Sequence, residues 1–181
     1  YGGSISSESL FMKAIEAFER DRAVYDATAC FIELADYLTS LLAGEPIFSL
    51  PLLRAKAFYE HGSYPDGDFL AAIHPDLCGL PKKLSEAFVK KTIAYPGAHA
   101  GKLCPEMAKS LGLPEGIAIS AGTADSYSPI LGIGIKGAGQ MIMTIGTSTG
   151  IMIMSDEPKR VPGVTVSIMD VFYPGKCGYG S

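Results

Sequence analysis

The sequence contains no asparagine, and its four cysteines, Cys30, Cys78, Cys104 and Cys177, include no Cys-x-x-Cys pair. The first absence removes any N-linked glycosylation acceptor. With no histidine placed to complete a zinc ligand set, the cysteines read as reduced structural thiols. No apolar run approaches the roughly 20 residues that a membrane helix requires. The opening Tyr1-Gly-Gly-Ser-Ile-Ser-Ser-Glu8 has neither secretory nor transit character, so the expected setting is the cytoplasm, with no membrane partner. No basic block is longer than a pair such as Lys82-Lys83 or Lys90-Lys91. Fifteen Lys and Arg stand against nineteen Asp and Glu, a net charge of −4, which argues against a nucleic-acid footprint and for small-molecule partners.

What is present describes a folding chain. Its 181 residues, 48% hydrophobic and 19% charged, suit one compact domain or two small lobes. Ser6 or Ser7 can cap a helix whose apolar positions Leu10, Phe11, Ala14, Ile15 and Phe18 recur at three- and four-residue steps. A second amphipathic helix is expected from about Asp26 to Ala43, with Phe31, Leu34, Ala35, Leu38, Leu41 and Leu42 on one apolar stripe facing the core and Gly44 ending it. Eight prolines between Pro46 and Pro114 break the middle into an irregular connector with short helices at 52–59, 68–73 and 105–111. Beyond Pro114 glycine becomes frequent. A buried strand at 117–121, a short helix at 126–131, strands at 141–145 and 151–154 and a further strand within 164–171 are expected there.

Two elements could carry chemistry. In Ala121-Gly-Thr-Ala-Asp125 a strand ends in a glycine turn and delivers a carboxylate to the start of a helix, where open α/β sheets bind ligands. The alternative is an N-cap aspartate satisfying one backbone amide, worth about 1 kcal/mol. Gly146-Thr-Ser-Thr-Gly150 lies between two strands. Its glycines allow backbone N–H groups to converge on an anion and its hydroxyls at Thr147, Ser148 and Thr149 add donors; a plain hairpin loop is the alternative. Together they supply what phosphoryl transfer to an alcohol needs: a carboxylate for the hydroxyl proton and a cradle for donor phosphates. Gly132-Ile-Gly134-Ile-Lys-Gly137 matches the dinucleotide fingerprint by letter, but it follows a helix and leads into a strand, the reverse of the required context. Lys13 reads as a solvated helix residue with Glu16 as a weak partner, and His61, His74 and His99 carry no catalytic pattern.

Several dispersed segments occur in the order found in a known family: Tyr1-Gly-Gly-Ser-Ile-Ser-Ser-Glu8, Phe31-Ile-Glu-Leu-Ala-Asp36-Tyr-Leu-Thr39, Gly101-Lys-Leu-Cys-Pro-Glu-Met-Ala108, Gly112-Leu-Pro-Glu-Gly-Ile117, and the pair Gly122–Asp125 and Gly146–Thr149. Through them the chain resembles the FGGY carbohydrate kinases, within them the L-ribulokinase branch, over nearly its whole length. The resemblance implies an α/β, actin-like (ribonuclease H-like) fold in two domains closing on sugar and ATP. It implies Asp125 as the catalytic base and a sugar contact, Lys13 as a sugar contact, and Gly146, Thr147, Ser148 and Thr149 facing the ATP phosphates. Mg²⁺ is expected with the nucleotide, because phosphoryl transfer relies on metal neutralisation of developing charge.

Some positions depart from the family pattern. Ser9 stands where it has Trp, Ser4 where it has Lys, and the chain closes Gly178-Tyr-Gly-Ser181 where the family has Gly-Tyr-Glu-Ala-Gly-Gln. Neither the family's Asp-Phe-Gly-Thr phosphate loop nor its Gly-rich adenine segment occurs. The resemblance therefore implies an internal segment: residues 1–115 from the helical, sugar-side part of the first domain and residues 116–181 from the opening strands of the second, phosphate-side domain. Such a segment is expected to be inactive alone and is a candidate for homodimer pairing. The expected function is ATP-dependent phosphorylation of L-ribulose or a related ketose or polyol in pentose catabolism, with a non-catalytic sugar-binding or regulatory module as the alternative.

Overall fold

The computed structural model describes residues 5–146, 149–164 and 166–180. They form two compact units, one of residues 8–122 and one of residues 123–180 together with residues 5–7.

In the first unit, α1 (Leu10–Arg20) forms where the periodicity predicts, burying Phe11, Ala14, Ile15 and Phe18. Its cap is Ser9, not Ser6 or Ser7. The Ser9 hydroxyl accepts the Met12 N–H at 3.3 Å, and Ser9 is 2% exposed, so it caps the helix from a buried position. The expected helix from 26 to 43 is two helices, α2 (Arg22–Ala27) and α3 (Leu34–Ala43). The Thr28–Glu33 break is held by Lys83, whose ammonium donates to the carbonyls of Asp26 and Thr28 and so ends α2. The Phe31 N–H bonds back to the Lys83 carbonyl at 2.7 Å. The apolar stripe assigned to the core is also corrected: Leu34, Leu38 and Leu41 of α3 are exposed, and the face turned inward carries Asp36 and Thr39.

The middle holds more regular structure than its prolines suggest. After β1 (Ile47–Ser49) come α4 (Leu50–Ala57), α5 (Gly67–Ile73), two 3₁₀ stretches at 75–83 and 85–87, and β2 (Thr92–Ala94), which pairs with β1 in parallel. Next are β3 (His99–Lys102) and α6 (Pro105–Leu111), the latter ended by Gly112 at φ 67°. The strand expected at 117–121 is the shorter β4 (Ala118–Ser120), antiparallel to β3 and largely exposed, so only Ala121 at its end is buried. Two cores result. The larger gathers α1, Tyr25, Ala57, Tyr64 and Leu70 with Leu77, Leu80 and Leu84; the smaller joins Ile47, Ala100 and Ala121.

The second unit is a helix on a sheet. The helix α7 (Ser128–Gly132) is followed by β5 (Met141–Ile145), β6 (Thr149–Ser155), β7 (Val166–Met169) and β8 (Cys177–Gly180). The order is β5-β6-β8-β7, every neighbour antiparallel, with Met141 opposite Ile153 and Met152 opposite Gly180. Alternation sets the faces: Ile142, Met154 and Ile168 are buried, while Met141, Met143 and Ile145 are exposed. Tyr127 of the segment before α7 meets Phe172 edge-on at 5.1 Å, fastening that segment to the sheet unit. Residues 133–140 connect α7 to β5, the reverse of the strand-to-helix context that a dinucleotide fingerprint needs.

Candidate functional site

Asp125 lies in the non-regular segment between β4 and α7, in the second unit. Two turns follow it, with the Tyr127 and Ser128 N–H groups both bonded to the Ala124 carbonyl. The N-cap alternative fails on geometry. The residue before α7 is Tyr127, and the Asp125 carboxylate instead accepts the adjacent Ser126 N–H at 2.7 Å. The carboxylate is exposed to solvent. An ionised carboxylate that spends one acceptor on its own backbone retains capacity for a hydroxyl donor.

β5 and β6 pair as neighbours on either side of the Gly146–Gly150 stretch. Ile145 pairs with Thr149 and Thr144 with Gly150. Gly146 and Thr149 are exposed; Thr147 and Ser148 lie outside the described residues. Asp125 and the described part of this stretch belong to the same compact unit, one preceding α7 and the other at a sheet end. Lys13 belongs to the other unit. On α1 its ammonium pairs with Glu16 at 3.1 Å and lies 3.9 Å from Glu8, in the solvated arrangement that its spacing suggests. The bond to Glu16 raises the Lys13 pKa, and the same bond lowers that of Glu16.

All four cysteines are free, and among the described residues no three His, Cys, Asp or Glu side chains gather as a metal cluster. No helix among them is long and apolar enough to cross a membrane. His74 has a structural task, accepting the Asp76 N–H at 3.2 Å at the head of a 3₁₀ stretch, with its ring 4.8 Å from that of Phe18. In the first unit a cavity of about 580 Å³ is lined by Cys30, Tyr37, Leu41, Phe88, Cys104 and Met107, among others, and by none of the candidate residues above.

One residue stood in the resemblance unassigned. Asp36 of α3 is 1% exposed, and its Oδ1 accepts the Ser49 N–H of β1 at 2.9 Å. Burial pushes its carboxyl up to about 7, partly opposed by the Ser49 bond and reinforced by the like charge of Glu33. The Glu33 carboxyl is itself raised by burial, against the pull of Lys56. Beside it the Ser49 hydroxyl is buried with no hydrogen-bond partner. The sequence signal was a lone carboxylate inside an apolar helix, on the side opposite the leucines.

No family model matches the sequence. Across 181 residues, 99% of the chain, it is 35% identical to the ribulokinase of Bacillus licheniformis, and across 180 residues 31% identical to that of Halalkalibacterium halodurans. The chain spans about a third of the length of these curated relatives, 32% and 31% respectively. Among solved structures it is similar to xylulose kinase from Rhodospirillum rubrum, with a TM-score of 0.77 and 21% identity over 99% of this chain and 35% of that one. Gluconate kinase from Lactobacillus acidophilus gives 0.75 and 18%, over 99% of this chain and 34% of that one. These structural likenesses show the fold, the actin-like sugar-kinase architecture in partial length. Sequence relatives and fold agree: over nearly its whole length the chain is similar to a segment of ribulokinases and has the fold of carbohydrate kinases.

Proposed function

We propose that the chain is a segment of a carbohydrate kinase that transfers a phosphoryl group from ATP to a hydroxyl of L-ribulose or a related ketose. The observation that carries this reading is the 35% identity to a ribulokinase over 99% of the chain. Residues 1–115 are then the sugar-side part of one domain and residues 116–181 the start of the phosphate-side domain.

In this reading Asp125 takes the proton of the attacking hydroxyl as its oxygen bonds to the γ-phosphorus and the β–γ bridging bond breaks, leaving ADP. Its exposure and short local hydrogen bond suit that role. Backbone N–H groups of the turn from Gly146 to Thr149 hold the donor phosphates, and Lys13, released from Glu16, contacts a sugar hydroxyl. Mg²⁺ would accompany the nucleotide and would supply positive charge that offsets the charge developing on the transferred phosphoryl group.

In the kinase-length protein carrying this segment, Asp125→Asn should lower kcat by about 10²–10⁴-fold, the usual worth of a positioned general base. The denaturation midpoint should hold, because Asn still accepts the Ser126 N–H. Wild-type turnover in that variant would end the assignment. Calorimetry with L-ribulose and with ATP tests the rest, since a protein that takes up the sugar but no nucleotide is not a kinase.

A further inference from the structure

The first unit contains a closed set of contacts around the residue from which the Asp125 segment departs. Gly122 lies against α3: a Cβ built on it would stand 3.2 Å from the Ala35 Cβ and 3.5 Å from both the Ala35 carbonyl oxygen and the Thr39 hydroxyl. Only a residue without a side chain fits that approach without displacing the helix. Its neighbour Ala121 is buried against Ile47 of β1. β1 is in turn tied to α3 twice. The Ser40 hydroxyl donates to the Ile47 carbonyl at 3.1 Å and accepts the Ile47 N–H at 2.9 Å, and Asp36 accepts the Ser49 N–H. Helix, strand and the Ala121–Gly122 backbone thus brace one another, and the one ionisable member of the brace is Asp36.

We propose that Asp36 is a positioning residue of the kinase: by fastening α3 to β1 it fixes the seat of Gly122, and with it the starting point of the segment that carries Asp125. This rests on the kinase reading only for its functional meaning; the coupling from Asp36 to Gly122 is a property of the chain alone. The charge state of Asp36 is the lever. β1 and β4 bring no titratable side chain against it. Glu33 at the head of α3 is the charged group that acts on it, while Lys56 of α4 acts on Glu33. Glu106 and Lys109 of α6 and His99 and Lys102 of β3 sit exposed on their elements. An ionised Asp36 would keep a single N–H donor in a buried site, beside a buried hydroxyl that has no partner. That is a weakly satisfied anion, and the joint should shift when it forms.

The test is a pH titration of the isotopically labelled chain by NMR, following the Asp36 carboxyl carbon with the amides of Ser49, Ala121 and Gly122. The expected result is one shared midpoint at all four positions, and loss of the amide titrations in Asp36→Asn, which retains the acceptor oxygen. If the carboxyl and Ser49 titrate while Ala121 and Gly122 stay still, Asp36 is a local fastener and the proposal falls. The wild-type titration decides this even if the variant does not fold. In the kinase-length protein, Asp36→Asn, which keeps the Ser49 bond, should hold kcat at the level given by the neutral carboxyl, leave KM for sugar nearly unchanged and remove one ionisation from the pH profile of kcat. An unchanged profile overturns the positioning role. Full activity in Asp125→Asn would instead overturn the catalytic-base assignment of Asp125 and leave the NMR coupling standing.

Discussion

Asp36 makes the stability of the first unit depend on pH in a direction opposite to that of most carboxylates. Its folded-state pKa is raised from 3.8 to about 7, so between those values the folded chain keeps a proton that the unfolded chain releases. The stabilisation is complete below the unfolded value, falls as pH rises through the window and is gone above the folded one. A shift of this size corresponds to roughly 4 kcal/mol at most, at about 1.4 kcal/mol per pKa unit. Asp36→Asn keeps the bond to the Ser49 N–H and has nothing to ionise. The wild-type urea midpoint should therefore drop between pH 5 and pH 8 by more than that of the variant, and the variant should be the more stable of the two at pH 8. Parallel curves would mean that the carboxyl is solvated in solution. The sequence signal for Asp36, a lone acid opposite the leucines, does not say which face of the helix turns inward. A lone acid in an apolar helix reads as surface, and only the approach of Ser49 and Gly122 turns that face inward.

Among the elements, periodicity was readable where it was long and unbroken. The stripe of α1 is seen at full length because Phe11, Ala14, Ile15 and Phe18 hold one face for two turns. β5 emerged at its expected bounds because five β-favouring residues stand between turn signals. The fusion of α2 and α3 had a local cause: Cys30, Phe31 and Ile32 continue the apolar rhythm, while the stop comes from Lys83, more than fifty residues away. β1 and β2 are three residues each and leave no period to detect. β8 escaped notice for a stronger reason, since Cys-Gly-Tyr-Gly is poor strand sequence. Its glycine is a packing requirement: a Cβ on Gly178 would stand 2.4 Å from both Val171 and Phe172. Gly178→Ala should therefore destabilise the second unit by about 1–3 kcal/mol, the usual result of overfilling a packed site. Gly132→Ala, at the end of α7 with nothing near its Cβ, should be nearly neutral or slightly stabilising. Chemical denaturation of the two variants checks the pair, and equal midpoints would show that the Val171 and Phe172 side chains move aside freely. The two elements proposed to carry chemistry stand out in the sequence as glycine-rich segments with a carboxylate and hydroxyls. The local hydrogen bond that decides against an Asp125 helix cap was not.

For the whole molecule, charge and exposed apolar surface act together. The sequence pI is near 5.3 and the net charge at pH 7 is −4, so mild acidification removes the repulsion that keeps copies apart. The exposed residues Leu34, Tyr37, Leu38 and Leu41 recur at helical spacing along α3, and Met141, Met143 and Ile145 alternate along the edge strand β5. Contiguous apolar faces of this kind promote association once charge is lost. The chain should reach its solubility minimum near pH 5.3, within the range where protonated Asp36 still stabilises the fold, so precipitation there should be of folded protein. Leu38 and Leu41, at 49% and 44% exposure, can be changed with little loss of packing. Leu38→Lys combined with Leu41→Glu keeps the net charge while interrupting the helical stripe. That double variant should stay in solution at pH 5.3 to several-fold higher concentration with a nearly unmoved urea midpoint. Turbidity equal to wild type would transfer the association to the β5 edge, where Met143→Lys should then relieve it.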